Sequence, residues 1–235
     1  MLMKELRARV LEANLEIVRR GLVLYTFGNA SGISREDGLV VIKPSGVPYE
    51  SLQPEHLVIT DLQGKLVEGD LKPSSDLATH LVLYRAFPNI GGVVHTHSEY
   101  ATAWAQARSS IPVFGTTHAD YFHGPVPVTE SMTAAEIASD YEKNTGEVIV
   151  RAFQQMDPDS VPAVLVANHG PFAWGKDPAD AAHTAVVLEA VARMAYFTRN
   201  IEHDAPALSR ELHDKHFLRK HGKAAYYGQS RKDRG

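Results

Sequence analysis

Two short apolar runs end in histidine. Gly92-Val93-Val94-His95-Thr96-His97 closes on a His-x-His pair, and Ala163-Val164-Leu165-Val166-Ala167-Asn168-His169-Gly170 closes on a third imidazole. Runs of this length and character read as buried strands, so the chain must enclose them in an interior. A strand repeats every two residues, which puts His95 and His97 on one face. A third imidazole from a second buried strand then completes a facial site for a divalent ion, zinc by default. With 12 histidines in 235 residues, chance alone supplies about 0.6 His-x-His pairs, so the spacing carries little by itself. Placement at the ends of two apolar runs is what carries the metal reading.

The rest of the chain interleaves helix and strand signals. Met1–Arg20 has helical periodicity in Leu6, Val10, Ala13 and Ile17, and Gly21 supplies a stop. Strand signals follow at Leu39–Ile42, Leu57–Thr60 and Lys65–Glu68, with a helix over Asp76–Phe87. Beyond the His-x-His strand come a helix near Tyr100–Arg108, a long helix over Met132–Met156 and a strand over Val161–Ala167. Asp177-Pro178 opens a long helix, Ala179–Arg199, with Asp as cap and Pro in its first turn, and a last helix spans Leu208–Lys220. This alternation predicts an α/β protein, and no linker or repeat divides residues 1–235. Residues 229–235 read as a flexible tail, in a C-terminal stretch with seven Lys/Arg from Lys215 onward.

Composition excludes several function classes. No cysteine is present, so a metal must take nitrogen and oxygen ligands. A net charge of −4 argues against nonspecific nucleic-acid binding. The first 20 residues are too charged for a signal peptide, and no apolar run approaches a membrane span. A soluble cytoplasmic enzyme is the expectation.

Three Gly/Ser-rich turns are expected in the first third: Gly28-Asn29-Ala30-Ser31-Gly32, Lys43-Pro44-Ser45-Gly46 and Pro73-Ser74-Ser75. Their N–H groups, hydroxyls and ammonium are the donors a phosphate dianion needs, although each alone reads as an ordinary turn. Asp76 stands at a helix start, where a carboxylate suits the helix dipole; a ligand role requires the fold to carry it to the histidines. Asp120 is a loop carboxylate with no role fixed by spacing. His56, His80, His123, His183, His203, His213 and His221 read as surface or packing residues.

The segments LEANL, GNASGI, VIKPSGV, KPSSD, GGVVHTHS, GTTHADYF, NHGPFAWGK, DKHFLRKHG and AYYGQ, in that order, resemble the L-ribulose-5-phosphate 4-epimerases of the class II aldolase/adducin family. The resemblance implies a single three-layer α/β/α domain in a homotetramer with active sites between subunits, acting on a sugar phosphate in pentose metabolism such as arabinose catabolism. It implies zinc, with manganese or cobalt as alternatives, on Asp76, His95, His97 and His169. It places Gly28, Asn29, Lys43, Ser45, Gly46, Ser74 and Ser75 in phosphate- and substrate-binding turns, with His216 and Arg219 near the substrate. Asp120 and Tyr227 match a pair of acid/base groups, whose ordinary pKa values of about 4 and about 10 the site would tune toward neutrality. Fuculose and rhamnulose 1-phosphate aldolases of this family place a glutamate base where Asp76 stands. The competing readings are such an aldolase, a non-catalytic module of the adducin-head type, and a His-x-His amidohydrolase; the last normally needs a longer chain and an earlier His-x-His.

Overall fold

Gly28-Asn29-Ala30-Ser31-Gly32, expected to form a turn, is instead part of a strand, β1 (Gly28–Ser34), at the centre of a seven-stranded sheet. The computed structural model describes residues 2–221 and 225–226. Tyr227 and the expected tail, residues 229–235, lie outside the described residues. The small residues of β1 answer to packing. A Cβ on Gly32 would meet Pro178 Cγ at 2.6 Å and Leu6 Cδ1 and Val10 Cγ2 at 2.9 Å, so only glycine lets two helices cross the strand here.

The other strands are β2 (Leu39–Ile42), β3 (Val58–Asp61), β4 (Leu66–Glu68), β5 (Gly92–Thr96), β6 (Ala163–Leu165) and β7 (Pro171–Gly175), in the order β4-β3-β2-β1-β5-β7-β6. Every neighbouring pair is antiparallel. One face is covered by α1 (Lys4–Arg19) and α7 (Pro178–Ile201), which pack on each other and on the sheet, with α3 (Glu99–Gln106) against α7. The opposite face carries α2 (Leu77–Ala86) against α6 (Tyr141–Ala152). Side chains alternate along β1 accordingly: Gly32 faces α1 and α7, whereas Ser31 bonds to His80 of α2. The result is the expected α/β/α layering.

Several sequence signals operate as read. Gly21 takes a φ of +71° after α1, and the Asp177 side chain accepts a bond from the Asp180 N–H at 2.9 Å, with Pro178 opening α7. The helix expected over Met132–Met156 breaks into α5 (Ala134–Ala138) and α6. At the break Ser139 Oγ donates to the Ala135 carbonyl, and Asn144 Nδ2 donates to the Glu136 carbonyl, so side chains satisfy the end of α5. This interruption brings Tyr141 and Glu142 to a helix start.

Candidate active site

The sheet register sets the histidines. Asn29 of β1 lies opposite His95 of β5, which lies opposite Phe172 of β7. Strand β5 ends at Thr96, so His97 sits one residue past it on the same side as His95. His169 comes from the tight β6–β7 turn, where Asn168 has a φ of +61° and the Val166 N–H donates to the Gly170 carbonyl. A Cβ on Gly170 would approach the Thr96 carbonyl to 2.8 Å, so this glycine lets the turn press onto the end of β5.

The three rings meet edge to face with centroids 4.8–5.0 Å apart, and their ligand nitrogens lie within 4.8 Å of one another. His95 Nδ1 donates to the Pro171 carbonyl at 2.9 Å, which leaves its Nε2 as a lone pair. That Nε2 lies 3.1 Å from His97 Nε2. Two nitrogens at about 2.0–2.1 Å from a tetrahedral zinc are roughly 3.3 Å apart, so the spacing fits a shared cation. His169 Nδ1 is buried without a hydrogen-bond partner. Burial, then the neighbouring His95 and His97, push His169 down to about 4 against the pull of Asp76; burial and His95 likewise lower His97. Both imidazoles are neutral at pH 7, as metal ligands must be.

Asp76 is the N-cap residue of α2 but makes no capping bond. Its Oδ2 accepts from Asn29 Nδ2 at 2.6 Å. Burial raises its pKa, but His95, His80 and the Asn29 bond outweigh that and hold it ionised below the usual range. It stands outside the three-histidine cluster yet lines the same cavity, of about 380 Å³. Gly28, Asn29, Lys43, Ser45, Gly46, Ser74 and Ser75 line it too. The Lys43 and Pro73 segments are laced together: the Ser45 N–H donates to the Lys72 carbonyl and the Ser74 N–H to the Lys43 carbonyl. Those two N–H groups are therefore spent on the backbone. Lys43 is buried, and desolvation pushes its ammonium down to about 8.

A family profile, Class II Aldolase and Adducin N-terminal domain, matches residues 8–196. The chain belongs to the class II aldolase and adducin family. It is 53% identical over 227 residues to the L-ribulose-5-phosphate 4-epimerase UlaF of Salmonella paratyphi A (strain ATCC 9150 / SARB42), covering 97% of this chain and all of that protein. Among solved structures it resembles an L-fuculose 1-phosphate aldolase, with a TM-score of 0.78 and 25% identity over 92% of this chain and 96% of the other. The L-fuculose-1-phosphate aldolase of Thermus thermophilus superposes with a TM-score of 0.67 and 27% identity, over 86% and 98% of the two chains.

This family member does not gather all its expected site residues in one place. Asp120, at the end of α4 (Thr116–Ala119), meets His216 and Arg219 of α8 (Arg210–His221), and none of the three lines the cavity. Arg219 Nη2 reaches both carboxylate oxygens, at 3.0 and 2.9 Å, His216 Nδ1 donates at 3.0 Å, and Lys220 Nζ lies 3.3 Å away. Burial would raise the Asp120 pKa, but Arg219, His216 and Lys220 hold it below the usual range. This tuning runs away from neutrality, opposite to the expectation, because Arg219 and Lys220 and a donating imidazole surround one carboxylate.

Two lining residues escaped the sequence reading, and His80, read as a surface or packing residue, proves to be a packing one. Tyr141 and Glu142 line the cavity, the Tyr141 ring 6.2 Å from that of His169. Burial, then Glu142 and Asp76, raise the Tyr141 phenol. His80 is fully buried, and its Nδ1 lies 2.7 Å from Ser31 Oγ, itself 2.8 Å from Tyr84 Oη. Burial pushes His80 down to about 3 although Asp76 pulls it up, so it is neutral. The available signal was its i, i+4 spacing from Asp76 on one helix face.

Proposed function

We propose that the chain is an L-ribulose-5-phosphate 4-epimerase, interconverting L-ribulose 5-phosphate and D-xylulose 5-phosphate. The observation that carries this reading is the pairing, in one cavity, of three clustered imidazoles with a buried ammonium and the Gly/Ser segments at 45–46 and 74–75. The 53% identity to an epimerase along nearly the whole chain supports the same reaction.

The reaction needs more than proton removal. In a 2-ketopentose 5-phosphate, C4 is β to the carbonyl, so its hydrogen is not acidic. Inversion proceeds when the C4 hydroxyl loses its proton and the C3–C4 bond breaks. The electron pair passes to the three-carbon enediolate, and C4 becomes the aldehyde of glycolaldehyde phosphate. Rotation of that aldehyde and re-formation of the bond on its other face give the epimer. Lys43 with Gly46 and Ser75 would hold the phosphate while the aldehyde turns. Asn29 donates to Asp76 and fixes it beside the histidines. A divalent ion, zinc or alternatively manganese or cobalt, would be held by His95, His97, His169 and Asp76 and would supply Lewis acidity for the enediolate charge.

The C4 oxygen lies on opposite sides in the two epimers, so each side needs its own proton-transfer group. Asp120, ionised at neutral pH, suits the acceptor, and Tyr227 is the second group. Because Asp120, His216 and Arg219 lie off their own chain's cavity, they are assigned to the cavity of a neighbouring copy in a homotetramer. The chain works as one domain. No described helix is long and apolar enough to cross a membrane, and the enzyme is assigned to the cytoplasm.

Product analysis on L-ribulose 5-phosphate, with metal measured in the same sample, tests this. D-xylulose 5-phosphate and about one divalent ion per chain are the expected result. Because the solved relatives above are aldolases, release of free glycolaldehyde phosphate at the turnover rate would identify an aldolase instead.

A further inference from the structure

Lys43 is 2% exposed, yet among the described residues its ammonium has no carboxylate partner and one long hydrogen bond, to the adjacent Pro44 carbonyl at 3.3 Å. What faces it is an aromatic ring. The Tyr49 centroid lies 4.6 Å from Lys43 Nζ. Tyr49 is itself buried, opens a single 3₁₀ turn (Tyr49–Ser51), and does not line the cavity. Its hydroxyl donates to the Gly28 carbonyl at 2.7 Å, one residue before Asn29. Burial raises the phenol well above its ordinary pKa, so the hydroxyl stays a donor.

A carboxylate would stabilise the ammonium more strongly, but an incoming dianion would have to displace it. The face of a ring attracts a cation without neutralising it. We propose that Tyr49 is a positioning residue for phosphate: its ring face stabilises the Lys43 cation without neutralising it, while its hydroxyl only helps anchor the ring to β1 beside Asn29. This rests on the phosphate-binding reading of the cavity given above. Tyr49 itself touches no substrate and acts through Lys43.

Direct binding of methyl phosphate at pH 7.5, followed by calorimetry, separates the two ideas. Tyr49→Leu should weaken binding about four- to eight-fold, because less of the ammonium is then charged at this pH. Tyr49→Phe, which keeps the ring, should stay within about three-fold, and metal content should be unchanged in both. In a Lys43→Met background, Tyr49→Leu should add nothing, because its effect passes through the ammonium. With L-ribulose 5-phosphate the loss should fall on KM rather than kcat. Should Tyr49→Leu fold poorly, 3,4,5-trifluorophenylalanine at position 49 has nearly the shape of phenylalanine with a weakened ring face, and should bind methyl phosphate several-fold less tightly than Tyr49→Phe. If the native protein binds no methyl phosphate, or Lys43→Met binds it as tightly, the phosphate reading fails and takes this inference with it. If binding is normal and Lys43-dependent but indifferent to the ring, or if Tyr49→Leu is equally damaging without Lys43, the Tyr49 inference alone is overturned.

Discussion

Raising the pH from 7 to 9 should strip the cavity of most of its phosphate affinity. Burial lowers the Lys43 ammonium to about 8, so its charge is lost as pH rises through that value. About nine tenths of the lysines are charged at pH 7 and about one tenth at pH 9. A phosphate monoester, with its second pKa near 6, is already a dianion over this range. His97 and His169 are held below their usual range and contribute no change in charge there. If only the charged lysine binds, affinity falls about tenfold, or about 1.4 kcal/mol. Binding the dianion must also draw a proton onto Lys43, about half a proton per site at pH 8 and about a tenth at pH 7. Calorimetric titration with methyl phosphate in two buffers of different ionisation enthalpy measures both quantities. A flat affinity between pH 7 and 9, or the same pH profile in Lys43→Met, would refute the assignment of phosphate binding to this buried ammonium.

Gly32→Ala should cost about 1–3 kcal/mol by forcing a methyl into Pro178, Leu6 and Val10, and lower the melting temperature by roughly 2–10 °C with methyl phosphate affinity unchanged. An unaltered melting temperature would mean that α1 and α7 retreat without cost. His97→Asn should lower bound metal at least about tenfold at limiting metal, since one of a few ligands is lost; full metal content would remove the three-histidine site. Mixing unfolded His97→Asn and Asp120→Asn chains and refolding them together should restore activity above the sum of the two pure variants. Mixed oligomers that regain nothing would return Asp120 to a purely structural role in docking α8.

Local chemistry made part of the fold legible. Leu39–Ile42 appears as read because four apolar β-formers stand between turn residues, and Asp177-Pro178 opens α7 because cap and first-turn preferences are local. What escaped was decided by long-range packing. β1 was masked because Gly32 is small to admit two helices and Asn29 and Ser31 are polar to face Asp76 and His80, so its composition mimics a turn. β7 begins with Pro171, which looks like a breaker but tolerates the first position of a strand, where its missing N–H costs little. In the site, the His-x-His period predicts the meeting of His95 and His97, and the second apolar run predicts His169 as the third imidazole; what the sequence misses is that His169 stands on the β6–β7 turn rather than at a strand end. The same limit applies to Asp120. Its loop position revealed nothing of Arg219, almost a hundred positions away, which sets the direction of its pKa.

In the proposed reaction C4 inverts because the C3–C4 bond breaks and re-forms. L-ribulose 5-phosphate carrying deuterium at C4, turned over in light water and followed by mass spectrometry, tests it most directly. The C4–H bond is never broken in this route, so D-xylulose 5-phosphate should keep its full deuterium with no large primary isotope effect. Loss of the label to solvent during epimerisation, or a large isotope effect from that position, would rule out C3–C4 cleavage as the route of inversion.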